Sequence, residues 1–146
     1  MPKQNLITIT QQIRQLPQTS DAAKLLVEWI TAQHGHAYLM LNDGLMTAND
    51  VDRNPQIVRW IQDRTQWRDL STPELTHDAL FVPVIYHGKT QGILVVEAVD
   101  ERALQIVPVL EILAVRLDTE FTAVMVSKAR QLTESVNRTS TLTKML

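Results

Sequence analysis

The chain has 146 residues, 45% of them hydrophobic and 21% charged, enough apolar side chain for one domain-sized core and too much for a disordered chain. Its 14 basic and 16 acidic residues leave a net charge of -2, with no lysine or arginine run to neutralise a phosphate backbone, so no nucleic-acid partner is expected. Cysteine is absent, which excludes disulfides, thiolate metal sites, thiol nucleophiles and thioether-linked chromophores. The opening MPKQNLITITQQIRQL lacks the apolar core and cleavage site of a secretory signal, and no segment reaches the ~18 uncharged apolar residues of a membrane span. A cytoplasmic protein without a membrane partner is the expectation.

Leu6, Ile9, Ile13 and Leu16 recur at steps of three and four, so residues 1–18 are predicted to hold a short amphipathic helix that Pro17 ends. A second helix is predicted after Thr19-Ser20, whose hydroxyls suit its cap, with Ala22, Leu25, Leu26, Trp29 and Ile30 inward and Gly35 as its stop. The period then shortens. His36 to Leu41 reads as a strand, Asp43-Gly44 as a two-residue hairpin turn, and Leu45 to Ala48 as the return strand. Asn54-Pro55 starts a third helix, with Asn as cap and Pro in the first turn, and Ile57, Val58, Trp60 and Ile61 facing inward until it fades near Trp67. Residues 68–79 read as polar loop, in which Ser71-Thr72-Pro73-Glu74 has the composition of one helical turn.

Leu80 to Tyr86 and Gly92 to Val99, joined by His87-Gly-Lys-Thr-Gln91, form the strongest strand pair and should be an antiparallel hairpin. Pro83 has no N–H for a ladder, so that side of the strand should face an edge or a bulge. After Asp100 the pattern is helical: Leu110, Leu113, Leu117, Phe121 and Val124 make one stripe, and Val109, Ile112, Ala123 and Val126 a second beside it. From Pro108 to Leu132 this helix would run about 37 Å, and residues 133–146 carry too thin a stripe for core, reading as a helical or frayed tail. The fold class is α+β: an antiparallel β-sheet with flanking helices and a long C-terminal helix.

The segments LFVPVIYHGKTQGILVVEA (80–98) and LEILAVRLDTEFTAVM (110–125) resemble a GAF domain, whose hairpin runs apolar-Pro-apolar, short polar turn, Gly-apolar-Leu, before a long final helix. In arrangement the resemblance covers residues 19–132; only the hairpin is motif-like, and a profilin-like α+β fold is the competing arrangement. The resemblance implies a sensory or regulatory domain of the GAF/PAS-like kind. Two departures matter. The stretch 64–79 is short and polar where the family usually has a further strand, and the Asn-Lys, Phe and Asp-Glu set of cyclic-nucleotide-binding members is not present in order. The missing cysteines set aside bilin attachment and the sulfoxide reductase activity known in the family.

In a period-2 reading Glu97 shares a face with Ile93 and Val95, so one face of this strand carries a carboxylate suited to a cationic or hydroxylated ligand; solvation or an arginine partner at the strand end is the competing reading. Tyr38 and Met40 on the first strand, Phe81 on the strand from Leu80 to Tyr86, and Trp60 and Trp67 between them have the spacing to wall an apolar pocket for a small molecule, and equally that of plain core. The resemblance places that cavity on the sheet face away from the long helices. The histidines lack the clustered spacing of a metal site, so neither metal nor cofactor is expected. A haem held by one histidine, known in the family, would have only His77 and His87, both in polar loops. No nucleophile elbow or phosphate-cradling glycine loop is present, and an enzyme is not expected.

The apolar stripes on the terminal helices predict a homodimer seam formed by Leu6, Ile9, Ile13, Leu16, Val109, Ile112 and Val126. The functional expectation is a non-enzymatic sensory or regulatory domain that dimerises there and holds a small ligand. Its alternative is a ligand-free interaction scaffold whose pocket has collapsed around Trp60, Met40 and Phe81.

Overall fold

The computed structural model describes residues 6–42, 44–48, 52–97 and 101–145, with side chains given through residue 134. In chain order the elements are α1 (Leu6–Gln15), α2 (Thr19–Gln33), β1 (Ala37–Leu41), β2 (Gly44–Thr47), α3 (Pro55–Gln62), a 3₁₀ turn (Arg64–Gln66), β3 (Glu74–Leu75), β4 (Ala79–Tyr86), β5 (Lys89–Glu97), a second 3₁₀ turn (Glu101–Gln105) and α4 (Ile106–Met145). The strands form one antiparallel sheet in the order β2-β1-β5-β4-β3. The expected class, α+β with a long C-terminal helix, is what the chain adopts.

Alternation along the strands sorts the side chains into two cores. On one face Leu39, Leu80, Val82, Val84, Leu94 and Val96 meet α1, α2 and the first turns of α4, burying Leu26, Ile30, Ile106, Leu110 and Leu113. The other face carries Tyr38, Ile93 and Val95, roofed by α3 and its following turn through Ile61 and Trp67. At the hairpin tip His87 and Gly88 both have positive φ (55° and 74°) and Tyr86 pairs with Lys89, so the loop expected over five residues is a two-residue turn and β5 starts earlier. The register slips by one between Val84 and Ile85, leaving Gln91 as the extra residue. Among the described residues β3 pairs only with Leu80 and Phe81, so Pro83 lies where the outer side of β4 has no ladder to break.

Several expectations are corrected. Residues 74–75, within the stretch expected as polar loop, are a fifth strand; both are exposed and too few to show alternation. The cap of α2 is Gln18, without a side-chain bond, because Thr19 is the first helical residue and its hydroxyl donates instead to Glu120 on α4. The last helix runs unbroken from Ile106 to Met145, so the segment after 132 is helical in its backbone. The predicted turn residue Asp43 and the strand end at Ala98-Val99 lie outside the described residues.

The predicted seam fares differently residue by residue. Ile9, Ile13 and Val109 are at most 1% exposed within the single chain, buried where α1 packs on α2 and α4, and so have no surface to offer a partner. Leu6, Leu16 and Ile112 are partly buried against the same core, and Val126 alone of the seven is open, at 46% exposure. A stripe of one helix seeking another has found it inside its own chain.

Candidate functional site

Asn54 opens α3, accepting the Gln56 N–H on Oδ1 at 3.0 Å, with Pro55 pre-set in the first turn. The same amide reaches across the sheet: its Nδ2 donates to Oε1 of Glu97 at 3.0 Å. The Tyr38 hydroxyl stands between them, accepting from the Asn54 backbone N–H at 2.8 Å and donating to Oε2 of Glu97 at 3.1 Å. His36 brings Nδ1 within 3.5 Å of that second oxygen. The end of β5, the start of β1 and the start of α3 are thus tied by one carboxylate, whose side chain keeps 23% of its exposure.

Glu97 faces an open cleft of about 1020 Å³, lined also by Thr31, His36, Asn54, Ile57, His77 and Phe81. The sequence prediction that Glu97 shares a face with Ile93 and Val95 agrees with this placement. Its partner is neither an arginine nor solvent alone but the Tyr38, Asn54 and His36 set. Asn54 was legible only as a helix cap and His36 only as the first residue of a strand, which in the structure begins at Ala37. What joins them to Glu97 is the antiparallel pairing of β1 with β5, in which the Glu97 N–H donates to the His36 carbonyl at 2.9 Å.

The aromatic residues are arranged otherwise than a walled pocket requires. Tyr38 and Trp67 are each 1% exposed, and Met40, Trp60 and Phe81 are partly buried in the same cluster, with the Trp60 and Phe81 rings 5.0 Å apart. Trp67 donates its indole N–H to the Ile61 carbonyl at 2.7 Å, folding the 3₁₀ turn back onto α3. These side chains fill the centre of the face themselves; of the six residues expected to bind a ligand, Phe81 and Glu97 line the cleft. A second cavity of about 560 Å³ lies beside the start of α2, with Thr19, Leu45, Leu117 and Glu120 in its wall. Its Thr19 and Glu120 groups are bonded to each other.

Burial holds the Tyr38 hydroxyl above its usual value of 10.0, and the Glu97 charge adds to this against the opposing pull of the Asn54 N–H and Arg53. A value raised on folding means that the stabilisation is complete below pH 10.0 and is lost as pH rises through the folded value. Melting temperature should therefore fall on alkaline titration, and Tyr38→Phe should lack that component. At neutral pH the same variant leaves the Asn54 N–H unpaired and costs about 1–3 kcal/mol; thermal melts taken on both sides of pH 10.0 check both effects.

Among the described residues no three His, Asp or Glu side chains converge as metal ligands, and no helix is long and apolar enough to cross a membrane. No family model and no curated protein matches the sequence. Solved structures do match. A domain of a methyl-accepting chemotaxis protein, residues 122 to 287, superposes with a TM-score of 0.53 at 11% identity, covering 79% of this chain and 99% of that one. The GAF domain of the potassium sensor histidine kinase KdpD from Escherichia coli matches with a TM-score of 0.49 at 17% identity, over 82% of this chain and 96% of that one. The strand order, the helix layer and the likeness to the chemotaxis-protein domain together give the expected α+β fold, an antiparallel sheet flanked by helices with a long C-terminal one.

Proposed function

We propose that this chain is a non-enzymatic, GAF-like sensory or regulatory domain that works as a homodimer and binds a small cationic or hydroxylated molecule at the Glu97 cleft. One observation carries the reading: β5, in the middle of the sheet, presents Glu97 to the cleft on one face and, on the other, Leu94 and Val96 to the core that α1, α2 and α4 share. A molecule that takes over hydrogen bonds of Glu97 changes the pull on the end of β5, and β5 is paired along its length with β4, the strand on which α4 packs. The shift of α4 is limited by the ligand's difference in affinity between the two arrangements.

Native mass spectrometry of the freshly purified chain tests this. A dimer carrying extra mass is expected, and Glu97→Gln should remain a dimer and lose that mass, because the amide removes the charge and leaves one of the two donors, the Tyr38 hydroxyl or the Asn54 amide, facing an NH2 group instead of an acceptor. A dimer without added mass in the unaltered protein, even when small amines and polyols are supplied, overturns the ligand. A specific observation favours the second reading in that case: Tyr38, Met40, Trp60, Trp67 and Phe81 pack against one another, as an interaction scaffold with a collapsed pocket requires.

A further inference from the structure

Helices α1 and α2 meet at the bend Leu16-Pro17-Gln18, and each arrives there with an unfinished end. In a continuing helix the Ile13 carbonyl would take the N–H of residue 17, but that residue is proline and has none. Leu16, the neighbouring donor, is bonded to the Gln12 carbonyl at 3.0 Å. Across the bend α2 starts behind Gln18, whose side chain makes no cap, so the positive end of that helix has none from its own N-cap residue.

Helix α4 serves both ends from residues one turn apart. Arg116 donates to the Ile13 carbonyl at 2.6 Å and to the Pro17 carbonyl at 3.4 Å. Glu120 accepts from the Thr19 hydroxyl, which is only 5% exposed as a residue and so has given up water for this bond. The signs fit. A guanidinium meets the negative end of α1, whose last turn already holds Arg14, and a carboxylate meets the positive end of α2, whose first turn already holds Asp21. Phe121, the next residue, sets its ring 4.7 Å from that of His87, and beyond it every described side chain through residue 134 is exposed. The two charges therefore grip the last turn of α4 before it leaves the domain.

Four residues span about 6 Å of helix, so a slip of α4 by one turn would misplace one charge or the other. In one direction Glu120 would face the Ile13 carbonyl; in the other Arg116 would face the first N–H groups of α2. Either puts a charge against a helix end of its own sign, and the grip exists in one position only.

We propose that Arg116 and Glu120 form an electrostatic clamp on the α1–α2 bend, which fixes the axial position of α4 where it leaves the domain. The device needs neither a ligand nor a second copy, so it stands apart from the function proposed above. It borders the open cavity of about 560 Å³ that Pro17, Thr19, Leu117 and Glu120 help to line, where dissolved salt reaches it.

Residue-resolved amide exchange in the full chain tests the clamp. The N–H groups of Leu16 and Ala22 close the last turn of α1 and the first turn of α2. Going from low to high salt should speed their exchange about tenfold, the loss of two charge contacts at helix ends, while Leu94 and Val96 in β5 keep their rates. Arg116→Gln with Glu120→Gln should exchange fast at the bend at either salt level, and its His87 ring protons, shifted by the Phe121 ring, should move as α4 loses its place. Arg116→Glu with Glu120→Arg should loosen the bend further, since each charge then meets its own sign.

Full protection of the bend in the exchanged pair would reduce the two side chains to partners of each other along α4 and overturn the clamp. Slow exchange at the bend in the Gln pair, or indifference of the unaltered protein to salt, would overturn it as well. A loosened bend with the His87 signals unmoved would overturn the positioning of α4.

Discussion

Gly92→Ala should lower stability by about 3 kcal/mol, at the upper end of what overpacking costs, and the melting temperature by roughly 10 °C. A methyl group built on Gly92 would stand 2.3 Å from the Met40 carbonyl oxygen and 3.1 Å from Leu41 Cδ2. The first of these is backbone, so no rotamer change relieves it; β1 and β5 must part. Gly92 has an ordinary negative φ, so the cost comes from close approach and not from conformation. The ladder that would open is the one holding His36 and Tyr38 against Glu97, so Gly92→Ala should also loosen the candidate site. Thermal denaturation gives the first effect; hydrogen exchange at Tyr38 and Leu39, faster than in β4, gives the second.

Trp67→Ala should cost about 3–5 kcal/mol, as truncating a buried aromatic residue does. It is the largest of the fully buried side chains, and it closes the sheet face that α3 roofs. Trp67→Phe separates packing from the hydrogen bond: most of the volume stays, the Ile61 carbonyl loses its 2.7 Å donor, and the loss should fall to about 1–2 kcal/mol. Chemical denaturation of the two variants measures the difference. If a cavity at this face could serve a ligand, Trp67→Ala is also where it would open, and a small aromatic added to that variant should restore part of the lost melting temperature.

The order of elements was readable because each main one carries its own signal: the Asn54-Pro55 start of α3, the shift from period 3.6 to period 2 at His36, and the apolar run ending at Gly92 to Glu97. Sequence periodicity also placed Glu97 on the correct face. What it missed was settled by pairing partners distant in the chain. β3 is visible only because Leu80 and Phe81 offer an edge, and His87 takes a positive φ that its residue type does not announce. The hydrogen bonds of Glu97 join residues 43 and 59 positions apart. The error over Ile9 and Ile13 has the same origin: an amphipathic stripe states that a surface will be covered, and α2 and α4 of the same chain cover it.

The two outermost strands, β2 and β3, have four and two residues, and beyond β3 the border of β4 carries Pro83. Such borders give a passing extended chain almost nothing to bond to, so among the described residues strand-by-strand growth into fibrils finds no long open edge as a template. At high concentration the molecules should collect as discrete, dissolving particles and stay silent to amyloid dyes.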